Sequence, residues 1–225
     1  MKNRMIKTAC MISLAVMFAA LSSAASDDNG HALVDRTVDG IQKTYDSIRT
    51  LRAEFMQLTY PAGAAEGTRA SGRVWFSPPD SMRWEYDTPE PQLIVTSGRD
   101  VYLYEKEASQ VTILSREHFL STGISRAFFF GKGDIRKLFH VTPGRSNGQI
   151  DPLKLVLVPK ESNPQIKRIV VTVGKKSHLV REIWFEDNFG GRTRLVFADI
   201  RLNEAVNRDL FHFVIPDGVE VYRAE

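Results

Sequence analysis

The chain has 225 residues, 43% hydrophobic and 25% charged, a balance that supports a buried core and excludes a disordered polar tail. Its single cysteine, Cys10, excludes a disulfide framework, a multi-cysteine zinc site and an iron–sulfur cluster. The formal charge of +3 resides in the first 25 residues, which hold Lys2, Arg4 and Lys7 and no acid; the remaining 27 bases meet 27 acids, leaving no basic field to attract nucleic acid or an anionic membrane.

Taken in chain order, the basic start precedes an apolar run from Ala9 to Leu21 that is too short to span a bilayer comfortably, and Ser23-Ala24-Ala25 supplies small residues for cleavage. Residues 1–25 are thus predicted to be a secretory signal peptide, leaving one exported, unanchored domain over 26–225. Cys10 lies at the start of the apolar run, whereas a lipid-anchored precursor carries its cysteine behind it. After the polar stretch Asp27 to Gly30, Leu33/Val34, Val38, Ile41, Tyr45 and Ile48 recur every three or four positions and predict an amphipathic helix. Gly40 within it costs about 1 kcal/mol relative to alanine.

The period then falls to two. Val74 and Phe76 follow Gly72, and Met82, Trp84 and Tyr86 alternate with Ser81, Arg83, Glu85 and Asp87, the pattern of strands with one apolar and one wet face. Arg83 and Glu85 share the wet face and read as an external ion pair of little energetic weight. Further strands are predicted at 92–97, 101–105, 110–114, 153–158, 166–173, 179–186, 192–200 and 210–215, separated by turn formers such as Pro78-Pro79-Asp80 and Asn188 to Gly191. The expected fold is mainly β: a single curved antiparallel sheet of about ten or eleven strands, forming an unclosed half-barrel. Its apolar face needs cover. The early helix offers one cover. The stretch Glu117 to Leu138, with Phe119, Phe128, Phe129 and Phe130 among Gly123, Gly131 and Gly133, offers a second. Both segments read either as core plugs or as a lid over a cavity, the glycines allowing a lid to move.

No catalytic constellation outweighs this reading. Gly144-Arg-Ser146-Asn-Gly148 matches G-x-S-x-G, and Asp187 and His212 follow in hydrolase order, yet Pro143 and Pro152 flank the match and no crossover helices alternate with strands. The five histidines stand far apart without a metal-binding spacing, and Gly131-Lys132-Gly133 completes neither a dinucleotide fingerprint nor a P-loop. No enzymatic activity, cofactor or metal is expected.

An ordered set of short motifs runs along the chain: Ile48 to Gln57; Gly72-Arg-Val-Trp-Phe76 with Pro79; Met82-Arg-Trp-Glu-Tyr86 with Pro89; Thr96-Ser-Gly98; Val101-Tyr-Leu-Tyr104; Leu157-Val-Pro159; Asp187-Asn-Phe-Gly190; and Phe211-His-Phe213 with Pro216-Asp-Gly-Val219. This set resembles the periplasmic outer-membrane lipoprotein carrier proteins, the LolA family. The resemblance implies a half-barrel with an apolar inner face covered by helices, in a soluble periplasmic monomer. It implies a carrier that takes triacylated lipoproteins from an inner-membrane ABC-type releasing complex (LolCDE-like) and passes them to an outer-membrane receptor.

On this reading Phe55, Val74, Phe76, Met82, Trp84 and Tyr86 form the lipid-binding inner surface, with Tyr102, Tyr104, Phe185 and Phe197 as further candidates. Met82 and Trp84 match lining positions of the family, and ordinary core packing is the alternative for all ten. Val38, Ile41 and Tyr45 of the helix, and Phe128, Phe129 and Phe130 of the second segment, are the lid candidates. One departure stands out. The family commonly has a basic latch residue immediately before the proline matched by Pro79; here that residue is Pro78, and Arg73 and Arg83 are the candidate substitutes. The alternative to a carrier is an envelope-stress sensor that binds lipoprotein or partner proteins on the same fold; a secreted lipid esterase using Ser146, Asp187 and His212 ranks behind both.

Overall fold

The spacing of Val34, Val38, Ile41 and Tyr45 is realised as one buried stripe along helix α1 (Ser22–Asp46), in a computed structural model that describes residues 22–121, 134–162 and 166–224. Burying each of those side chains stabilises the fold by roughly 1.5–3 kcal/mol. Residues 1–21 of the predicted signal peptide lie outside the described residues, and so do Phe128, Phe129 and Phe130 of the predicted lid. Gly40 has a use that the periodicity did not reveal: a Cβ there would collide with the His178 ring, so the glycine lets that ring lie directly against the helix.

Among the described residues twelve strands follow: β1 (Leu51–Tyr60), β2 (Thr68–Ser77), β3 (Ser81–Thr88), β4 (Gln92–Ser97), β5 (Asp100–Glu105), β6 (Gln110–Ser115), β7 (Phe139–Ser146), β8 (Gln149–Pro159), β9 (Arg168–Val173), β10 (Val180–Glu186), β11 (Arg192–Leu202) and β12 (Glu220–Arg223). Short helices α2 (Arg116–Ser121) and α3 (Ile135–Leu138) lie between β6 and β7. All twelve strands join one unclosed curved sheet in the order β12-β6-β5-β4-β3-β2-β1-β11-β10-β9-β8-β7. β1 pairs with β11, so the first and last long strands join the two halves.

The sheet is mixed rather than wholly antiparallel, because β12 runs parallel to β6. The structure also departs locally from the predicted elements. The run at 210–215 is not a strand: Arg208–Phe211 forms a 3-10 turn capped by Asn207, whose side chain accepts from the Asp209 N–H, and the chain continues as an irregular strap. Conversely, 139–146 forms a strand despite Pro143, which an edge strand with a register shift tolerates. The β7–β8 turn places Asn147 and Gly148 at positive φ, 52° and 79°, the conformation favoured in two-residue hairpin turns.

Strand register separates the two faces. Phe55 lies opposite Gly72, Val74 opposite Ala53 and Trp84, and Phe76 opposite Leu51 and Met82. These residues and the α1 stripe share one core with Leu155, Leu157, Ile169, Val171 and Ile183 from the other half. Gly72 sits at a β2–β3 register shift where a Cβ would collide with the Glu85 carbonyl oxygen.

Gly72→Ala is therefore expected to lower stability by about 1–3 kcal/mol, read as a reduced urea midpoint with an unchanged slope. A midpoint equal to the wild type would contradict this close approach.

Candidate functional site

Among the described residues the inner face is covered unevenly. α1 lies against β7 and β8, and α2 against β5 and β6. Between these covers a hollow of about 160 Å3 is lined by Gln57, Met82, Trp84, Tyr86, Ile94, Phe119 and Leu195. A smaller void of about 20 Å3 lies beneath the end of α1, against Tyr45, Phe76 and Phe197. An apolar cavity of roughly 150 Å3 admits benzene, whereas sites for drug-sized ligands run to roughly 300–1,000 Å3. The hollow thus has the volume of a short hydrocarbon segment rather than of a drug-sized molecule.

Two of its lining residues, Trp84 and Tyr86, belong to an aromatic cluster. Phe55 meets Trp84 at 4.8 Å and Tyr86 at 4.9 Å between ring centroids, both edge to face, while Trp84 also meets Phe76 at 5.9 Å and Phe197 at 6.2 Å. Such pairs contribute about 0.5–1.5 kcal/mol each beyond their burial. Burial raises the Tyr86 hydroxyl above its ordinary range. The buried Thr96 hydroxyl accepts from the Met82 N–H at 2.7 Å and donates to the Met82 carbonyl at 3.3 Å, tying β3 to β4 beneath the hollow.

Of the candidate lipid-facing residues, Phe55, Val74, Phe76, Met82, Trp84, Tyr86 and Phe197 come together on the inner face, and Phe185 packs at the margin of the same core. Tyr102 and Tyr104 do not. Val101 and Leu103 take the inward positions of β5, and the two tyrosines project outward against Phe213 of the C-terminal strap, at 5.2 and 5.8 Å between centroids. Alternation could not reveal this, because β5 is apolar on both faces. Ile94 is hidden in the same way by its neighbours Leu93 and Val95, while Gln57, being polar, carries no apolar signal; both line the hollow. Phe119 and Leu195 complete it.

Arg83 is more than a surface charge. With 17% of its side chain exposed, it pairs with Glu85 at 2.7 Å and donates to the Leu210 carbonyl at 2.9 Å, fastening the strap to the outer face. Arg73 lies on that face too, 3.3 Å from Glu85, so neither arginine takes the latch position near Pro79. The charged ties to the covers lie elsewhere. Asp80, one residue beyond Pro79, pairs with Arg116 at the start of α2 at 2.9 Å. Arg136 of α3 pairs with Asp39 at 2.8 Å and donates to the Asp35 carboxylate at 3.2 Å and its carbonyl at 2.9 Å, joining α3 to α1.

The trial triad residues serve separate turns. Ser146 donates to Asp151 at 2.7 Å and accepts from Lys154 at 3.3 Å, holding Asp151 below its usual carboxylate range, whereas Asp187 accepts from the Phe189 and Gly191 N–H groups, each at 2.8 Å. A larger outer-face groove of about 360 Å3 is walled by charged groups including Arg168, Glu182, Glu186 and Arg192. Its acids are already paired: Glu182 with Arg194, Glu186 with Lys167 and Arg168. Among the described residues no acidic, histidine or cysteine cluster could hold a metal, and no helix is long and apolar enough to cross a membrane.

The sequence profile of the family described as "Outer membrane lipoprotein carrier protein LolA" matches residues 46–214. The chain belongs to the LolA family. Among its LolA relatives, an outer-membrane lipoprotein carrier protein of Cupriavidus necator is 30% identical over 99% of this chain and all of its own length. One from Azotobacter vinelandii is 26% identical over 94% of this chain and 96% of its own. At the level of fold, an uncharacterized conserved protein from Thermus thermophilus superposes with a TM-score of 0.53 at 13% identity, over 84% of this chain and 98% of its own.

The α1 cover carries a pH signature. The Tyr45 hydroxyl accepts from the Val180 N–H at 3.3 Å, and burial pushes it from its ordinary 10.0 up to about 12. Between those values the folded state retains a proton that the unfolded chain has lost, so its contribution to stability falls as pH rises. The urea midpoint should decline from pH 10 towards pH 12, with a smaller decline in Tyr45→Phe; equal slopes for the two proteins would refute the assignment.

Proposed function

We propose that this protein is a periplasmic carrier for the acyl chains of triacylated lipoproteins. It takes them from an inner-membrane ABC-type releasing complex and delivers them to an outer-membrane receptor. The observation that carries this reading is the apolar hollow left open on the inner face between α1 and α2, in a chain whose relatives are named outer-membrane lipoprotein carrier proteins. The predicted signal peptide supports export.

Each buried methylene contributes about 0.8 kcal/mol, so a sixteen-carbon chain costs on the order of 12 kcal/mol to hold in water. A lipoprotein therefore needs an escort across an aqueous compartment. The escort must also release its cargo, which argues against one tight, fully enclosed pocket. Aromatic rings under separately attached covers answer both demands: they give broad apolar contact, and the covers are tied by partly exposed ion pairs of the kind worth about 0–1 kcal/mol. Movement of those covers is what would admit a whole chain.

Trp84 is too deeply buried for a charged replacement to test binding without threatening the fold. Filling the hollow is the better experiment. Ile94→Trp should weaken binding of an acylated lipopeptide at least about ten-fold, the loss of a few buried methylenes, while thermal stability stays near the wild type. Undiminished lipopeptide binding by that folded variant would count against the site. Depletion in cells separates carrier from sensor: loss of a carrier strands lipoproteins in the inner membrane, and unchanged sorting would favour the sensor.

A further inference from the structure

The hollow beneath α2 is apolar except at one end. There Gln57 and Tyr86 bring polar atoms to its wall, and the same two side chains line a second hollow of about 260 Å3. That neighbour is of opposite character, walled by Glu90, Gln92, Glu105 and Glu107 together with Lys106. Strand register produces the boundary. Trp84, Ile94 and Leu103 form one inner-face row across β3, β4 and β5, and two residues along, Tyr86, Gln92 and Glu105 form the next. On β1 the same two-residue step leads from Phe55 to Gln57, both inward.

The boundary is organised. The Tyr86 hydroxyl donates to Gln57 Oε1 at 3.1 Å, and Gln57 Nε2 donates to Thr59 Oγ1 at 3.1 Å. A side-chain amide carries two N–H donors, and one of them is directed at Thr59. A pure hydrocarbon guest has no use for donors at the mouth of its cavity. A guest whose chain ends in a carbonyl has, because burying that oxygen without a donor loses the hydrogen bond that water gave it.

Resting on the acyl-carrier reading, we infer that Gln57 and Tyr86 form a polar subsite for the ester carbonyl of an acylglycerol. The chain lies in the apolar hollow and the glyceryl side in the acidic vestibule. The carbonyl accepts from the free arm of the Gln57 amide and from the Tyr86 hydroxyl, which turns away from Gln57 Oε1 to reach it. The two hollows thus act as one amphipathic site, graded along the strands.

The test is displacement of the fluorophore N-phenyl-1-naphthylamine from the purified protein by 1-monolauroylglycerol and by its ether analogue 1-O-dodecylglycerol, which lacks the carbonyl. The ester should bind about five-fold more tightly, the scale of one net hydrogen bond. Gln57→Leu should bring the ester down to the level of the ether, with ether and fluorophore binding unchanged. Tyr86→Phe keeps the ring against Phe55 and should narrow the same gap; if Gln57→Leu does not fold, an undiminished ester preference in Tyr86→Phe overturns the subsite. Equal affinity of the wild type for ester and ether, or a Gln57→Leu variant that weakens both alike, overturns the subsite alone. Failure of either lipid to displace the fluorophore from the wild type overturns the carrier reading and the subsite with it.

Discussion

A sheet bent far enough to make one face concave must cover that face with apolar side chains from elsewhere, and among the described residues the cover comes in two unequal pieces. α1 supplies Val34, Val38, Ile41 and Tyr45 to the half of the sheet that ends in β7. α2 brings Phe119 to the margin of the other half. Between them Trp84 and Tyr86, backed by Phe55, border open space. Hydrophobic burial holds the structure together everywhere else, and its local incompleteness makes the site. A trough filled to core density would be more stable and would have no room for a guest.

The outer face solves a different problem. Over β3, β4 and β5 it is covered by the C-terminal strap, with Phe213 against Tyr102 and Tyr104 and with the Leu210 carbonyl on Arg83. Those strands are therefore buried on both sides. Val95, Val101 and Val111 are completely inaccessible although Val101 faces inward and the other two outward. This double burial gives the inner trough a firm wall.

Charge enters at the attachments of those covers. Arg116 to Asp80 and Arg136 to Asp35 and Asp39 join segments far apart in sequence, all at partly exposed positions. Exposed pairs of this kind fix geometry more than they add stability. Gly40 works to similar effect by contact, letting His178 rest on α1 where any side chain would hold it away. A glycine that weakens a helix in isolation thus improves its seat on the sheet.

Much of the fold was legible because its physical signal is local. The three-and-four spacing of α1 and the alternation of β2 and β3 appear wherever one face is apolar and the other wet; β2 and β3 lie where alternation placed them, while α1 holds Val34 to Tyr45 as spaced but begins at Ser22, ahead of the polar stretch 27–30, and ends at Asp46, before Ile48. Tyr102, Tyr104 and Ile94 were not legible, because a strand apolar on both faces carries no sign of which side turns inward. β12 and the strap at 210–215 depended on partners about a hundred residues earlier in the chain, at β6 and β3. The amino-acid order alone determined the class of the protein, a curved sheet with an apolar side and a helix to cover it, since that follows from the spacing of oily residues. Only the tertiary structure decided which side chains border the empty volume and that Gln57 and Tyr86 stand at its edge, because strand register and the reach of each cover arise from contacts between distant segments.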